Sequence, residues 1–354
     1  MAAQLPTRQL GKDGPWVSAL GYGAMGLSST LYGDAGDEEE RLAFLDKVFE
    51  MGCTFWDTAE GYGDNEELIG KWFKRTGKRD QVFLATKFAV KGLADGTRIF
   101  SNEPEYIRKA IDGSLERLQT DHVDLWYCHR FDGKVPVETI VSTMASAVHS
   151  GKVRYLGLSE CSSTTLRRAM TIHPIHAVQI EYSPFTLDIE NASGTNLLAT
   201  CRELGVATVA YSPLGRGVLT GQYKSAEDFG PGDWRRNMPR FSAENFPKNL
   251  ELVDKLSAIA KMKGCTTGQL TLAWLMEQGP DVIPIPGTKK AKYLEENLGS
   301  LRVVLSEGQA REIGRRWRVV RRVGIGIRGL WRRFVLEIRR SWRGEKEGGS
   351  ENEG

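Results

Sequence analysis

The chain has 354 residues, of which 40% are hydrophobic and 26% charged, and its formal net charge is +3. This composition is typical of a soluble globular protein with a sizeable core, and it excludes a fully disordered chain. Residues 311–354 contain 13 basic and 6 acidic side chains (net +7), so residues 1–310 contain 35 basic and 39 acidic ones (net −4). A slightly acidic body lacks the basic face that nucleic acid requires, so no nucleic-acid partner is expected.

The apolar runs and the cysteines exclude further classes of protein. No stretch approaches the roughly 18 consecutive apolar residues of a membrane span, and the N-terminus lacks a secretory pattern. The five cysteines are odd in number and never spaced C-x-x-C, which argues against a disulfide framework and a cysteine-rich zinc site. We therefore expect a cytoplasmic protein with no transmembrane segment and no metal site.

Eight short, mostly apolar runs have the length and composition of strands that are buried on both faces. In chain order they are residues 17–23, 54–58, 82–87, 123–129, 153–159, 177–182, 207–211 and 282–286. Amphipathic helical patterns include residues 38–51, 65–75, 104–119, 137–149, 164–171, 196–204, 249–262 and 267–278. Strands that alternate with helices predict a parallel sheet with right-handed crossovers.

Eight strand–helix units in about 290 residues match the usual size of a closed (β/α)8 TIM barrel, which we predict for residues 1–310. The alternative is an open, doubly wound sheet. Residues 219–247 form a long polar interval, and a loop of that length is usually functional, such as a lid over a site. Residues 311–354 are predicted to be a separate tail, basic at first and then acidic with a disordered composition.

One glycine motif suggests a different architecture. Gly21, Gly23 and Gly26 spell G-x-G-x-x-G, the outline of a Rossmann dinucleotide-binding motif. In that motif the third glycine opens a helix whose N-terminus holds the pyrophosphate. Here helical periodicity begins only near Glu38, and Asp57 lies 31 residues beyond Gly26 rather than about 20. The glycines are therefore interpreted as a turn from strand to loop.

Polar residues occur at or just after consecutive predicted strand ends: Asp57, Tyr62, Lys87 and His129. The active site of a barrel forms at these ends. Each residue alone has a structural explanation, but their joint placement indicates chemistry. A tyrosine phenol, with a usual pKa of about 10, becomes a better proton donor beside an ammonium group that a buried carboxylate keeps charged. With a histidine to direct a carbonyl oxygen, such a group protonates that oxygen during hydride transfer.

Further sequence blocks run in order between about residues 21 and 305. They are FWDTAEGYG (55–63), TK (86–87), YCHR (127–130), VRYLGLS (153–159), QIEYSP (179–184), YSPLGRG (211–217), IPGT (285–288) and EEN (295–297). On these blocks the chain resembles the aldo-keto reductase superfamily, in particular the longer-loop fungal and plant members that reduce aldehydes and pyridoxal.

The resemblance implies a catalytic tetrad of Asp57, Tyr62, Lys87 and His129, with Tyr62 as the general acid. It also implies that NADPH lies across the barrel mouth without a Rossmann domain and that the substrate is a small aldehyde or ketone. The implied cofactor residues fall into three groups. These are Ser159, Gln179 and Tyr211 at the nicotinamide, Ser212, Leu214 and Arg216 along the pyrophosphate, and Thr288, Glu296 and Asn297 at the adenosine end.

The chain departs from the family pattern at two places. Many members have an arginine four residues before the final asparagine, where this chain has Tyr293, which can stack on adenine but cannot neutralise a phosphate. Lys289, Lys290 and Lys292 are near enough in sequence to supply that charge, so NADP is favoured over NAD.

The tail is the other departure. Its apolar residues share one helical face opposite arginines, and they are Trp331, Phe334, Val335, Ile338 and Trp342. Such a helix suits weak contact with an anionic membrane or a partner groove; the favoured alternative is an unnatural C-terminus with no selected role.

Two other functions remain as alternatives. One is a non-catalytic, NADP-binding regulatory subunit resembling the β-subunits of potassium channels, although binding alone does not demand both Tyr62 and Lys87. The other is a barrel glycosidase, which needs two carboxylates about 5–9 Å apart. Asp57 and Glu60 are too close in sequence to flank a sugar, so the reductase hypothesis is preferred.

Overall fold

The structure is a computed structural model that describes residues 4–28, 36–92, 98–231, 233–306, 308–311 and 313–314. The predicted tail helix that contains Trp331 and Trp342 lies outside the described residues. Within the described part of the chain, no helix is long and apolar enough to cross a membrane.

An N-terminal hairpin precedes the main sheet. Strand β1 (Thr7–Gln9) pairs antiparallel with β2 (Trp16–Ser18), and Leu10 and Val17 are buried in the same cluster as side chains from inside the barrel. The Arg8 guanidinium donates hydrogen bonds to the carbonyls of Met276, Gly279 and Val282, with distances of 2.6–2.9 Å. The hairpin therefore covers the N-terminal end of the barrel.

Short parallel strands form the main sheet. The further strands, in chain order, are β3 (Tyr22–Gly23), β4 (Phe55–Asp57), β5 (Phe83–Phe88), β6 (Val90–Gly92), β7 (Arg98–Phe100), β8 (Val123–Cys128), β9 (Val153–Ser159), β10 (Ala177–Glu181), β11 (Ala207–Tyr211) and β12 (Val282–Pro284). Strands β6 and β7 pair with each other in a separate two-stranded sheet. The other eight lie in the order β3-β4-β5-β8-β9-β10-β11-β12, and every pair is parallel.

Backbone hydrogen bonds join the first and last strands of this sheet. The Gly21 N–H donates to the Pro284 carbonyl at 2.9 Å, and the Gly23 N–H donates to the Pro286 carbonyl at 3.2 Å. A Cβ on Gly21 would lie 2.8 Å from both Ile285 and Phe55, so glycine permits this close approach. The predicted (β/α)8 barrel is confirmed.

The first predicted strand, residues 17–23, was wrong as a single element. Its start belongs to the hairpin and its end to β3, because the Ala19 N–H donates to the carbonyl of Pro6 while Gly21 already bonds across to Pro284. The glycine motif is followed by a 3₁₀ turn (Ala24–Leu27), and a helix begins only at Glu38.

Helices cover the outside of the barrel. They are α1 (Glu38–Glu50), α2 (Asn65–Thr76), α3 (Pro104–Leu118), α4 (Val137–His149), α5 (Ser163–Met170), α6 (Leu197–Leu204), α7 (Phe246–Lys263), α8 (Thr267–Met276) and α9 (Ala291–Gly299). Side chains cap several of them: Asp37 accepts from the Glu40 N–H, and Thr266 and Gln269 form a reciprocal capping box. Their apolar faces pack on the sheet and form the outer core.

The long interval between β11 and α7 has a core of its own. Phe229, Phe241 and Phe246 are fully or almost fully buried there, and their rings contact one another. The Arg235 guanidinium lies 4.4 Å from the Phe229 ring centre and donates to the Arg216 carbonyl at 2.7 Å. The segment is thus a packed loop of 3₁₀ turns at the C-terminal side of β11.

Candidate active site

Parallel pairing brings the predicted catalytic residues to one end of the barrel. Asp57 ends β4 opposite Ala85 of β5, and Lys87 lies two residues beyond Ala85. Lys87 is in turn opposite Tyr127 of β8, and His129 follows that strand directly. The side chains of Asp57, Lys87 and His129 are all buried, so polar groups are gathered where apolar packing would otherwise be expected.

Lys87 and Asp57 form a buried ion pair. The Lys87 Nζ lies 2.5 Å from Asp57 Oδ1 and also donates to the Thr58 carbonyl at 2.7 Å. The second carboxylate oxygen of Asp57 accepts from Gln179 Nε2 at 2.7 Å. Although burial alone lowers the pKa of the Lys87 ammonium, the Asp57 carboxylate raises it above the ordinary value. Lys87 is therefore held in its charged form.

Tyr62 lies on the turn between β4 and α2, beside that ammonium group. The Lys87 Nζ is 3.5 Å from the Tyr62 hydroxyl and 4.9 Å from its ring centre. The His129 ring is perpendicular to the Tyr62 ring, with 5.7 Å between their centres. Backbone bonds from Tyr62 to Ala59 and from Asn65 to Tyr62 fix the turn. The structure thus brings all four residues of the predicted tetrad together.

The residues predicted at the nicotinamide lie next to the tetrad. Gln179 contacts Asp57 as described, and Ser159 accepts a hydrogen bond from Arg130 at 3.2 Å. Tyr211 is half-buried, and its hydroxyl donates to Glu160 Oε1 at 2.9 Å. Burial raises the pKa of the Tyr211 phenol well above its usual value. These groups present hydroxyl and amide functions and one aromatic face near the ends of β9, β10 and β11.

The turn after β11 contains the residues predicted along the pyrophosphate. Ser212 and Arg216 have φ angles of 49° and 57°, in the left-handed region that non-glycine residues rarely occupy. Leu214 is partly buried and packs against the outer core. The Arg216 guanidinium lies 4.6 Å from the Trp234 ring centre and 3.9 Å from Glu181, so its charge lies between the long loop and the end of β10.

The residues predicted at the adenosine end surround the loop from β12 to α9. The Thr288 carbonyl accepts from the Tyr22 hydroxyl at 2.9 Å. Lys289 is half-buried and Lys290 is exposed. Within α9, Glu296 accepts from Thr266 at 2.7 Å and Asn297 is buried. Tyr293 donates from its hydroxyl to Gln222, so its ring lies at the edge of the long loop.

Sequence reasoning missed Arg240, and it recognised Glu160 and Glu181 as strand-end acids without assigning them a role in the site. Glu160, with a φ of 52°, and Glu181 follow or end neighbouring strands, and Arg240 donates to Glu181 at 2.6 Å from within the long loop. The two glutamates lie close in sequence to predicted cofactor residues, and that proximity could have indicated that they belong to the site. Arg240 lies in no sequence motif. Its contact with Glu181 depends on how the long loop folds back, which a local pattern does not reveal.

Known proteins resemble this chain along most of its length. It is 52% identical over 312 residues to an aldo-keto reductase of Schizosaccharomyces pombe whose name specifies NADP(+), covering 87% of this chain and 90% of that relative. It is 54% identical over 307 residues to an aldo-keto reductase of Strobilurus tenacellus, covering 86% and 89%. A probable aldo-keto reductase of Glycine max is 43% identical, covering 88% of both chains.

Solved structures show the same architecture. A glycerol dehydrogenase from Gluconobacter oxydans superimposes with a TM-score of 0.77 at 24% identity, covering 87% of this chain and 93% of that one, which supports the fold alone. A thermostable aldo-keto reductase in complex with the inhibitor epalrestat gives a TM-score of 0.71 at 30% identity, covering 88% and 99%. The sequence model of the aldo/keto reductase family matches residues 19–317. With the barrel and its strand-end site, these similarities show that the chain belongs to the aldo/keto reductase family of oxidoreductases.

Proposed function

We propose that this protein reduces a small aldehyde or ketone to the corresponding alcohol, with NADPH as the hydride donor and Tyr62 as the proton donor. The observation that carries the proposal is the position of the Lys87 ammonium, 2.5 Å from Asp57 and 3.5 Å from the Tyr62 hydroxyl. A fixed positive charge beside a phenol favours transfer of the phenolic proton, because it stabilises the phenolate left behind.

The donor set at the barrel mouth fits a nicotinamide dinucleotide phosphate. Gln179 and Ser159 offer amide and hydroxyl groups for a carboxamide, and Tyr211 offers an aromatic face. Lys289, Lys290 and Lys292 supply positive charge at the N-terminus of α9, where the helix dipole also favours an anion. The NADP(+) in the name of the Schizosaccharomyces pombe relative supports the same cofactor. When bound, NADPH supplies the hydride that the carbonyl carbon receives.

The chain's own residues control the proton. In the proposed reaction the carbonyl oxygen accepts a hydrogen bond from the Tyr62 hydroxyl. As negative charge develops on that oxygen, Tyr62 releases its proton to it, and the products are an alcohol and the oxidised cofactor. The Lys87 ammonium stabilises the phenolate until a proton returns from solvent, and Asp57 keeps the ammonium in place.

His129 has an orienting role in this proposal. Its ring is perpendicular to that of Tyr62, with 5.7 Å between the ring centres, so a carbonyl group that receives the Tyr62 proton would lie close to the imidazole. A hydrogen bond from the imidazole would direct the carbonyl oxygen toward the phenol and leave the carbon facing the nicotinamide. Orientation of this kind contributes to rate by removing unproductive geometries.

Turnover with a panel of carbonyl compounds tests the function. Purified protein should oxidise NADPH when an aromatic aldehyde is added, and the alcohol should appear in equal amount. NADPH binding without turnover of any aldehyde or ketone would favour a regulatory subunit instead.

A further inference from the structure

Glu60 lies on the same turn as Tyr62 but faces away from the tetrad. Its backbone N–H donates to the Lys87 carbonyl at 3.0 Å, so its main chain joins the ends of β4 and β5. The neighbouring Gly61 packs so closely on the next segment that a Cβ there would lie 2.6 Å from the Val90 carbonyl. The turn that carries Tyr62 thus rests against the base of the β6–β7 hairpin.

The Glu60 carboxyl bonds to two other elements. The Tyr106 hydroxyl, on α3, donates to Glu60 Oε1 at 2.5 Å. The backbone N–H of Ala89, which lies between β5 and β6, also donates to the carboxyl. Ala89 is fully buried and has a φ of 87°, a conformation that costs free energy in a non-glycine residue. This strained residue is therefore fixed partly by its bond to Glu60.

The surroundings of the carboxyl favour its neutral form. Burial raises the pKa of Glu60 to about 7, the Tyr106 hydrogen bond lowers it, and the Glu66 carboxylate on α2 raises it. The Ala89 N–H and Arg117, the latter on α3, oppose the rise. Arg117 is itself paired with Glu66 at 2.7 Å, which limits its effect on Glu60. Charging Glu60 thus places a second buried carboxylate near Glu66.

We propose that Glu60 is a positioning residue for the reaction: its carboxyl group holds the turn of Tyr62 against Lys87 through bonds to Tyr106 and Ala89. This inference rests on the proposed function, because it assumes that the Tyr62–Lys87 geometry limits the rate. We call the two bonds to Tyr106 and Ala89 the Glu60 clamp. Without the clamp the turn that carries Tyr62 is free to shift by a fraction of an ångström. Such a shift of a reacting group lowers kcat more than it weakens substrate or cofactor binding. Glu60 touches neither the substrate nor the cofactor in this account.

Three substitutions separate positioning from general stability. Glu60→Ala removes both bonds and is expected to lower kcat of the folded protein on the order of 10- to 100-fold, with the NADPH Kd close to wild type. Glu60→Gln has the shape of the neutral acid and should restore kcat at pH 6. Tyr106→Phe removes one donor and should lower kcat less than Glu60→Ala; it also serves as the test if Glu60→Ala fails to fold.

The pH dependence provides a readout that a purely structural role would not change. The ratio of kcat for Glu60→Gln to kcat for wild type should change between pH 6 and pH 8, because only the wild-type side chain gains charge, and it does so beside the Glu66 carboxylate. The control is Glu190→Gln, which alters a second tyrosine–glutamate bond, from Tyr182 at 2.7 Å, away from the Tyr62 turn. Its kcat ratio to wild type should stay flat.

Two results would overturn the inference. One is a folded Glu60→Ala protein with wild-type kcat, and the other is a flat pH ratio for Glu60→Gln. Failure of the proposed function is seen separately, as absence of carbonyl reduction by the wild-type protein.

Discussion

The Arg240 guanidinium donates to the carboxylate of Glu181 at 2.6 Å, across 59 positions of sequence, and both side chains are buried. Glu181 ends β10, whereas Arg240 belongs to the far part of the long loop. Arg216, from the near part of the same loop, lies 3.9 Å from the same carboxylate. Although burial alone raises the pKa of Glu181, the two arginines hold it below its usual value. One strand-end carboxylate thus anchors both ends of the loop.

Removing Arg240 should therefore destabilise the protein. Arg240→Ala leaves the buried Glu181 carboxylate with the more distant Arg216 and a hydrogen bond from Thr186 at 3.3 Å. Breaking a buried ion pair in this way costs roughly 3–5 kcal/mol. The loss, measured by urea unfolding, should be largest near pH 7. It should shrink as the pH falls and the unpaired carboxyl takes up a proton.

The exposed ion pair of Arg167 with Glu203 offers a matched control. Arg167→Ala should lower the free energy of unfolding far less, because both charges are exposed and remain hydrated. Equal losses for the two arginine variants would contradict the anchoring role of Glu181.

Replacing Tyr62 tests the proton donor. Tyr62→Phe keeps the ring but removes the hydroxyl, so carbonyl reduction should fall roughly 10²- to 10⁴-fold while the NADPH Kd stays nearly unchanged. Tyr155→Phe is a suitable control, since Tyr155 lies near the start of β9 and packs on His176. Wild-type kcat in Tyr62→Phe would rule out Tyr62 as the general acid.

Strand and helix positions could be predicted because they depend on local patterns. The apolar runs and caps located β4, β5 and the helix starts at Glu38 and Asn65 to within a residue or two. The meeting of Asp57 with Lys87 was also predictable, because parallel strands bring their ends to one edge.

Contacts that depend on a loop's path could not be predicted in this way. The clamp of Glu60 on Tyr106 and the pair of Glu181 with Arg240 join segments with no periodic relation. The first strand was misplaced for the same reason: the apolar pattern of residues 17–23 does not reveal that the chain changes partners at Ala19. The strand ends there because the Ala19 N–H bonds to Pro6 and the Gly21 N–H bonds to Pro284, two residues that are far apart in sequence.

The charge near α9 leads to a prediction on cofactor choice. Replacing Lys289 and Lys290 together by Ala should weaken NADPH binding by on the order of 1–3 kcal/mol, as expected for charge-assisted hydrogen bonds. NADH binding should change little, because NADH lacks the additional phosphate. Titration of both cofactors by fluorescence measures the difference. Equal losses for NADPH and NADH would show that these lysines do not read the phosphate.

The raised pKa of Glu60 leads to a prediction of how the free energy of unfolding depends on pH. Its pKa is about 7 in the folded protein and close to its ordinary value of 4.5 in the unfolded chain, so the unfolded chain loses the proton first. Wild-type stability relative to Glu60→Gln should therefore fall as the pH rises from about 4.5 to about 7, by up to about 3 kcal/mol, and then level off. Urea unfolding of both proteins across this range measures the trend. A constant difference would show that Glu60 does not titrate in this window.

The end of the described chain defines a limit for truncation. The Trp274 indole donates to the Ala310 carbonyl at 3.0 Å, and Ile313 is fully buried in the outer core. A protein of residues 1–314 keeps both contacts, and we predict that it folds, binds NADPH and melts close to the full-length temperature. A protein of residues 1–305 loses both and should be less stable by about 2–5 kcal/mol, as for loss of a large buried side chain.

Binding to vesicles tests the remaining residues, 315–354, separately. If their basic residues contact an anionic surface, the full-length protein should sediment with anionic vesicles at low salt, and residues 1–314 should not. Raising the salt concentration should release the full-length protein, since the attraction between basic side chains and anionic lipid is screened. Vesicles of neutral lipid are the control and should bind neither protein. Failure of residues 1–314 to fold would instead mean that the barrel needs the tail, and the predicted limit at residue 310 would be wrong.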